Sequence, residues 1–177
     1  VIIVSGGGSG IGRQTAIEPT GLGADVVSCG RAIEPLRETA DLCMREGTDG
    51  SCSAMVCDIR ESDEVEKFID ATLETHGRID TLVNNAGGQF MAPAESITEK
   101  GFDTVIRLNV HGTWLMTHTV ATKWMIENGG GKVISVTLSP HNGMPGMVHS
   151  GAARAGGENM MKTLAIEWAR VGIKLNA

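Results

Sequence analysis

At 177 residues, 41% of them hydrophobic, the chain is long enough to bury one sizeable core and too short for two full domains. A formal net charge of −6 and a pI near 5.3 argue against the basic face with which nucleic-acid binders hold a phosphate backbone. No apolar run approaches the roughly 18 residues needed to cross a bilayer, so a soluble protein with no membrane partner is expected.

The first run, VIIVS, reads as a strand, and SGGGSGIG (Ser5 to Gly12) leads from it into a helix. In that setting Ser5, Gly6, Ser9, Gly10, Ile11 and Gly12 form a candidate cofactor loop. Glycines allow a tight turn and the close approach of a diphosphate, whose charge meets amide N–H groups at the helix start. By itself the string also fits a plain strand-to-helix turn. Pro19 lacks a backbone donor and is expected to end or kink the first helix early.

ADVVSC is the second strand. At its end, where an NAD-selective site places an acid for the ribose 2′-hydroxyl, stand Gly30 and Arg31. Loss of the carboxylate removes repulsion from a 2′-phosphate, and the guanidinium offers it charge-assisted bonds, so NADP(H) is preferred over NAD(H). A solvated loop cation is the plainer reading of Arg31. The second helix pattern turns Leu36, Thr39, Ala40, Cys43 and Met44 inward. SAMVCDI, the third strand, closes on Asp58 and Ile59; the Asp58 carboxylate either accepts from an adenine amino group or caps the next turn. Ser62, Asp63 and Glu64 mark the start of the third helix as N-cap and first-turn acids, and its inward stripe is Val65, Phe68, Ile69, Thr72 and Leu73. Cys29, Cys43, Cys52 and Cys57 show neither zinc-site spacing nor the density of a disulfide scaffold; reduced thiols in a cytosolic core, without a metal, are expected.

IDTLVNNAG is the fourth strand, ending in Asn85, Ala86 and Gly87, small enough for backbone to pass close to a cofactor at the carboxyl edge of a sheet. The fourth helix carries an inward stripe of Phe102, Val105, Ile106, Thr113 and Met116, and Asn109 lies within it. A buried amide must be satisfied: either it bonds locally and bends the helix, or it holds a water or polar group of a catalytic site. KVISVTLS is the fifth strand. His141 and His149 flank the following loop and read as surface residues. The last run, GIKLNA, stops as a strand begins, and the sequence opens at Val1. A piece of a longer chain, incomplete at both ends, is therefore expected. Alternating strands and helices, without repeat or linker, predict a single α/β Rossmann domain over 1–177: a doubly wound parallel sheet of order 3-2-1-4-5-6.

Together SGGGSGIG, Asp58, NNAG at Asn84 to Gly87 and Asn109 resemble the short-chain dehydrogenase/reductases, along the whole chain. HSGAARAG followed by LAIEWA is similar to the trans-2-enoyl-CoA and 2,4-dienoyl-CoA reductase branch. The resemblance implies an NADP(H)-dependent oxidoreductase, with NAD(H) as the alternative cofactor. It would act in the cytoplasm as a homodimer or homotetramer, on a small molecule such as an acyl-CoA thioester. It also implies a serine that orients the substrate carbonyl, a tyrosine that donates a proton, and a lysine that holds the nicotinamide ribose. Thr137 stands at the serine position, Ser150 at the tyrosine and Arg154 at the lysine, and the chain contains no tyrosine. With Asn109 these are the candidate catalytic residues. Two alternative tyrosine places in the branch correspond to Ser139 and to Glu158, with Lys162 four residues on; Glu158 reads better as an exposed helix residue, on a helix that Gly156 and Gly157 weaken. Reduction of a conjugated C=C tolerates the missing tyrosine better than carbonyl reduction, because its proton can arrive late. A carbonyl reductase or alcohol dehydrogenase, and a nucleotide-binding protein without catalysis, are the rival readings.

Overall fold

Six short apolar segments pair in parallel to build the molecule. The structure, a computed structural model, describes residues 1–45, 49–138 and 142–177. The strands are β1 (Ile2–Ser5), β2 (Asp25–Gly30), β3 (Ser51–Val56), β4 (Thr81–Asn84), β5 (Gly131–Ser135) and β6 (Ile173–Asn176). They form one sheet of order β3-β2-β1-β4-β5-β6, as the sequence predicts. Register places Ile3 beside Val27 and Leu82, and Val4 beside Ser28 and Val83. Neighbours along each strand point to opposite faces, and in β2 both faces are buried, which explains why it reads as a near-continuous apolar run.

The helices are α1 (Gly10–Gly21), α2 (Ile33–Arg45), α3 (Ser62–His76), α4 (Glu99–Ile106), α5 (Thr113–Val120) and α6 (Val148–Glu167). The larger core joins Ile3, Val27, Leu82 and Val133 of the sheet to Phe68 and Ile69 of α3, Met116 and Val120 of α5, and Met161 and Leu164 of α6. On the other face Val4, Val26 and Val83 meet Ala16 of α1. The buried stripe of α1 is Gly12, Ala16 and Thr20, small side chains at four-residue steps that let the helix lie close to the sheet.

Several local expectations are corrected. Pro19 does not stop α1, which runs on to Gly21. The proline sits in the last turn, where only one intrahelical donor is lost, and its carbonyl accepts from the amides of Leu22 and Ala24 at 3.0 Å each. Met44 is 77% exposed, because the stripe of α2 closes on Cys43. Ser62 is the first residue of α3 rather than its cap; Glu61 precedes it without a side-chain cap bond, while Asp63 and Glu64 do lie in the first turn. Gly156 and Gly157 do not interrupt α6, whose 20 residues run unbroken against α4 and β6.

The fourth helix pattern is continuous in direction but not in hydrogen bonding. Between α4 and α5 lies a π-helical turn, Arg107–Gly112, and Asn109 stands in it. Such turns disturb the regular ladder and often mark functional positions.

Candidate cofactor and catalytic site

The carboxyl ends of β1, β2 and β4 open on a cavity of about 450 Å³. Gly6, Ser9, Gly10, Ile11, Gly12, Arg31, Asp58, Ile59, Asn85, Ala86 and Gly87 line it, together with Gly30, Cys57 and Leu108. A second space of about 370 Å³ shares Ile11, Asn85 and Gly87 with the first and continues past Gly88, Gln89, Thr137, Leu138 and Arg154. The two form one cleft across the edge of the sheet.

Its floor is held by side chains that serve the loops rather than the space. The buried Ser5 hydroxyl donates to Val83 O at 3.3 Å and accepts from the amides of Asn85 and Ala86 at 3.1 Å each. Asn85 Nδ2 returns to Ser5 O at 3.0 Å and Gly6 O at 3.1 Å. On the other side of the loop, Arg13 Nη2 donates to Gly8 O at 2.7 Å and Thr39 Oγ1 to Gly7 O at 3.0 Å. Neither Arg13 nor Thr39 is distinguishable in sequence from an ordinary helix residue. A Cβ on Gly12 would lie 2.2 Å from Gly6 O and 2.4 Å from Asn85 Nδ2, so only glycine fits there.

These residues fit a dinucleotide. Gly10, at φ +52°, opens α1 with nothing within 4 Å of where a Cβ would stand. The first turn of α1 carries no acid, and the Ser9 side chain makes no cap bond, so helix amides at this end keep donors for an anion. Arg31 makes no hydrogen bond or ion pair among the described residues, beside Gly30, where no carboxylate stands. Asp58 lies beyond the end of β3 rather than in it. Its carboxylate is gripped by Arg60, whose Nε sits 2.9 Å from Oδ1. That bond, with Arg31 nearby, holds the Asp58 carboxyl below the usual carboxylate range. Arg60 is absent from the sequence-based site, since nothing in its spacing distinguishes it from a solvated cation.

Asn109 is buried and fully engaged. Nδ2 donates to Gly88 O and to Val105 O, both at 2.8 Å, and Oδ1 accepts from the Gly88 amide at 3.2 Å. The local bond to Val105 accompanies the π turn, as the first sequence reading expects, and the bonds to Gly88 fix the wall of the cleft. Arg154 packs across the same wall; a Cβ on Gly87 would come within 2.9 Å of its Nη2. Arg154 Nη1 donates to Val136 O at 3.2 Å, while Nε is buried without a partner among the described residues. Burial pulls its guanidinium below the ordinary arginine range. Thr137 lines the cleft beside it, with its hydroxyl 3.5 Å from Leu138 O.

Ser150 is fully buried in the first turn of α6, its hydroxyl unpaired among the described residues. His149, expected at the surface, is also fully buried, because the helix begins one residue earlier and carries the ring beneath Phe90. Glu158 is not an exposed helix residue either: it lines a small cavity of about 20 Å³ behind Arg154, with Asn109, Ser135 and Thr137, and pairs with Lys162 at 2.7 Å. Ser139 and His141 lie outside the described residues.

All four cysteines are free thiols. A hydrogen bond that the Cys29 thiol donates to Cys57, with burial, raises it well above its ordinary range, and burial beside Cys43 pushes Cys52 up to about 12, so these two are not thiolates at neutral pH. Among the described residues no group of three or more His, Cys, Asp and Glu is placed to hold a metal ion, and no helix is long and apolar enough to cross a membrane.

Comparison with known proteins adds an independent line. A family model described as short chain dehydrogenase matches residues 1–177. The peroxisomal 2,4-dienoyl-CoA reductase of Danio rerio is 35% identical over 177 residues, covering 99% of this chain and 58% of that protein. Among solved structures, the citronellol catabolism dehydrogenase AtuB of Pseudomonas aeruginosa PAO1 superposes with a TM-score of 0.92 at 46% identity, over 97% of this chain and 70% of that one. A metagenomic short-chain oxidoreductase in complex with NADP gives a TM-score of 0.93 at 29% identity, over 99% and 78%.

Proposed function

The chain belongs to the short-chain dehydrogenase family, and we propose from that premise that its protein is an NADP(H)-dependent oxidoreductase acting on an enoyl-CoA-like substrate. The observation that carries the cofactor choice is Arg31 at the mouth of the cavity, without a hydrogen-bonded partner among the described residues, beside a glycine where an acid would favour NAD(H). A solved relative that holds NADP supports it.

In this reading the amides of Ser9 to Gly12 bind the diphosphate, Asp58 and Ile59 border the adenine, and Asn85 to Gly87 pass beside the nicotinamide ribose. Arg154 supplies the fixed positive charge that the family's lysine provides, pinned by Val136 O so that it stays on the ribose side. The bound nicotinamide supplies or accepts the hydride. Thr137 keeps a hydroxyl at the cleft and orients the substrate oxygen, a preorganised donor of the kind commonly worth about 3–4 kcal/mol. Asn109 acts at one remove, by fixing Gly88. The substrate class rests on the dienoyl-CoA reductase relative and on the absence of tyrosine, which hurts alkoxide protonation more than late protonation of an enolate carbon. The retained Thr137 hydroxyl favours a second reading, reduction of a ketone by the same site. A homo-oligomer in the cytoplasm completes the proposal.

The test uses the full-length protein. NADPH should bind at least 10-fold more tightly than NADH, and a short enoyl-CoA should oxidise NADPH while a simple ketone does not. Thr137→Ala and Arg154→Ala should each lower turnover by about 100-fold. Equal affinity for the two nucleotides would overturn the cofactor choice, and turnover of ketones alone would replace the first reading by the second. NADPH binding with neither substrate turned over would make the protein a binder without catalysis.

A further inference from the structure

The π turn Arg107–Gly112 meets the cleft at more than one place. Its last residue, Gly112, is buried against Ile59, which lines the cavity beside Asp58. A Cβ on Gly112 would lie 2.8 Å from both Cγ1 and Cδ1 of Ile59 and 3.3 Å from Ile59 O, so the turn meets that wall with no room for a methyl group. Ile59 is 4% exposed and has little freedom to yield. The first residue of the turn grips the segment that follows: Arg107 Nη2 donates to Glu61 Oε1 at 2.9 Å and to Arg60 O at 3.4 Å.

Asn109 sits between these contacts and serves the opposite end. It holds the amide and the carbonyl of Gly88, in the wall that continues past Gln89 to Arg154. Leu108, one residue earlier, lines the first cavity, and its Cδ2 stands 3.3 Å from where a Cβ on Gly88 would be. Side chains brace the turn along its length: Asn109 Nδ2 donates to Val105 O at 2.8 Å, and Thr113 Oγ1 to Asn109 O at 2.9 Å. One braced turn therefore bears on both ends of the cleft, and close-packed atoms pass a displacement at one contact to the other.

We propose that this turn fixes the spacing between the two halves of the nucleotide site, with Gly112 and Arg107 as positioning residues that set where the adenosine half stands relative to the nicotinamide half. The proposal rests on the dinucleotide reading above and deepens it. A dinucleotide is two fragments joined by a diphosphate, and the join raises affinity only as far as both fragments reach their places together. The gain is an effective concentration: the product of the two fragment dissociation constants divided by that of the intact molecule. A spacing error leaves each fragment its own fit and lowers the gain. A damaged subsite weakens fragment and intact molecule alike and leaves the gain unchanged.

The experiment uses full-length protein and titrates NADPH, 2′,5′-ADP and reduced nicotinamide mononucleotide, directly or by competition. Gly112→Ala should raise the NADPH dissociation constant about 10-fold while the product of the two fragment constants moves by less than about 3-fold. Ile59→Val, which removes Cδ1, should restore part of that loss in the Gly112→Ala background, a rescue that general destabilisation would not give. Arg107→Met, a change at an exposed side chain, should lower the effective concentration about 3-fold with the urea midpoint nearly unmoved. Unchanged NADPH affinity in Gly112→Ala overturns the proposal, and so does an equal weakening of 2′,5′-ADP and NADPH. If Gly112→Ala fails to fold, an unchanged effective concentration in Arg107→Met overturns it instead. Either of these results leaves the nucleotide reading standing, whereas absence of nucleotide binding in the wild type removes that reading and this one together.

Discussion

Around the glycine loop, Ser5, Arg13, Thr39 and Asn85 use their polar atoms on the protein itself, holding the carbonyls of Ser5, Gly6, Gly7 and Gly8 and the amides of Asn85 and Ala86. Around β5 and the start of α6, by contrast, Ser135, His149, Ser150 and Arg154 each keep a buried side-chain atom without a partner among the described residues. These are four of the six such atoms in that set; the other two, Ser28 Oγ and Asn84 Oδ1, lie on β2 beside Gly7 and at the end of β4. Under the proposed function the contrast separates two jobs. A phosphate-binding loop works by being rigid before the ligand arrives, so its framework must be satisfied internally. A site for developing charge works by presenting donors that no protein group has already taken.

The severest way to break the rigid end is steric. Gly12→Val would drive a side chain into Gly6 O and Asn85 Nδ2, and overpacking on this scale should weaken NADPH binding about 100-fold or more, read by fluorescence titration. Next comes Asn109→Ala, which strands the carbonyl and amide of Gly88. It should lower unfolding free energy by about 2 kcal/mol in urea titrations, with the loss of turnover exceeding the loss of NADPH affinity. Arg31→Ala removes a charge that makes no hydrogen bond among the described residues and acts on Asp58 only through space, behind Arg60. Stability should change by less than about 0.5 kcal/mol, and NADPH affinity should fall about 10- to 30-fold with NADH affinity constant. A parallel fall for both nucleotides would mean that Arg31 shapes the pocket rather than reading the extra phosphate.

The same contrast explains what the sequence discloses. The rigid end is legible because its chemistry is local: SGGGSGIG, the Gly30–Arg31 pair and NNAG each declare a backbone turn within a few residues, and the alternation of strands and helices places those turns on one edge. Asn109 is legible for a different reason, being the polar residue in an apolar stripe. Arg13 and Thr39 are not, because their targets lie on other elements; only packing of α1 against α2 reveals that they hold the loop. His149 misleads for the same cause. A histidine after a run of glycine, methionine and proline reads as a surface loop residue, and its burial follows from where α6 starts and where Phe90 comes to rest. Pro19 and the pair Gly156–Gly157 show tertiary packing overriding propensity: a helix laid on a sheet tolerates what an isolated helix would not.

One group at the rigid end departs from the pattern, and it yields the smallest expected effect. Asp58 faces the cavity, yet its carboxylate is taken by Arg60 rather than by a backbone group. The pairing lowers its folded carboxyl range below the ordinary Asp value of about 3.9. A depressed folded value means stability that is fully present above the unfolded value and lost as pH falls through the folded one. Arg60→Ala should therefore leave stability at pH 7 lower by about 1 kcal/mol, since the pair is only partly covered, and should shrink that difference between pH 4 and pH 2. Urea midpoints measured across pH 2–7 for both proteins check the convergence. Nucleotide affinity should change by less than about 5-fold in either direction, because the freed carboxylate gains freedom to meet an adenine amino group while losing the orientation that Arg60 imposes. A rise in affinity would show that the ion pair competes with the ligand, and would move Asp58 from the satisfied framework to the set of groups kept for the ligand; a fall would place Arg60 among the residues that hold the loop ready.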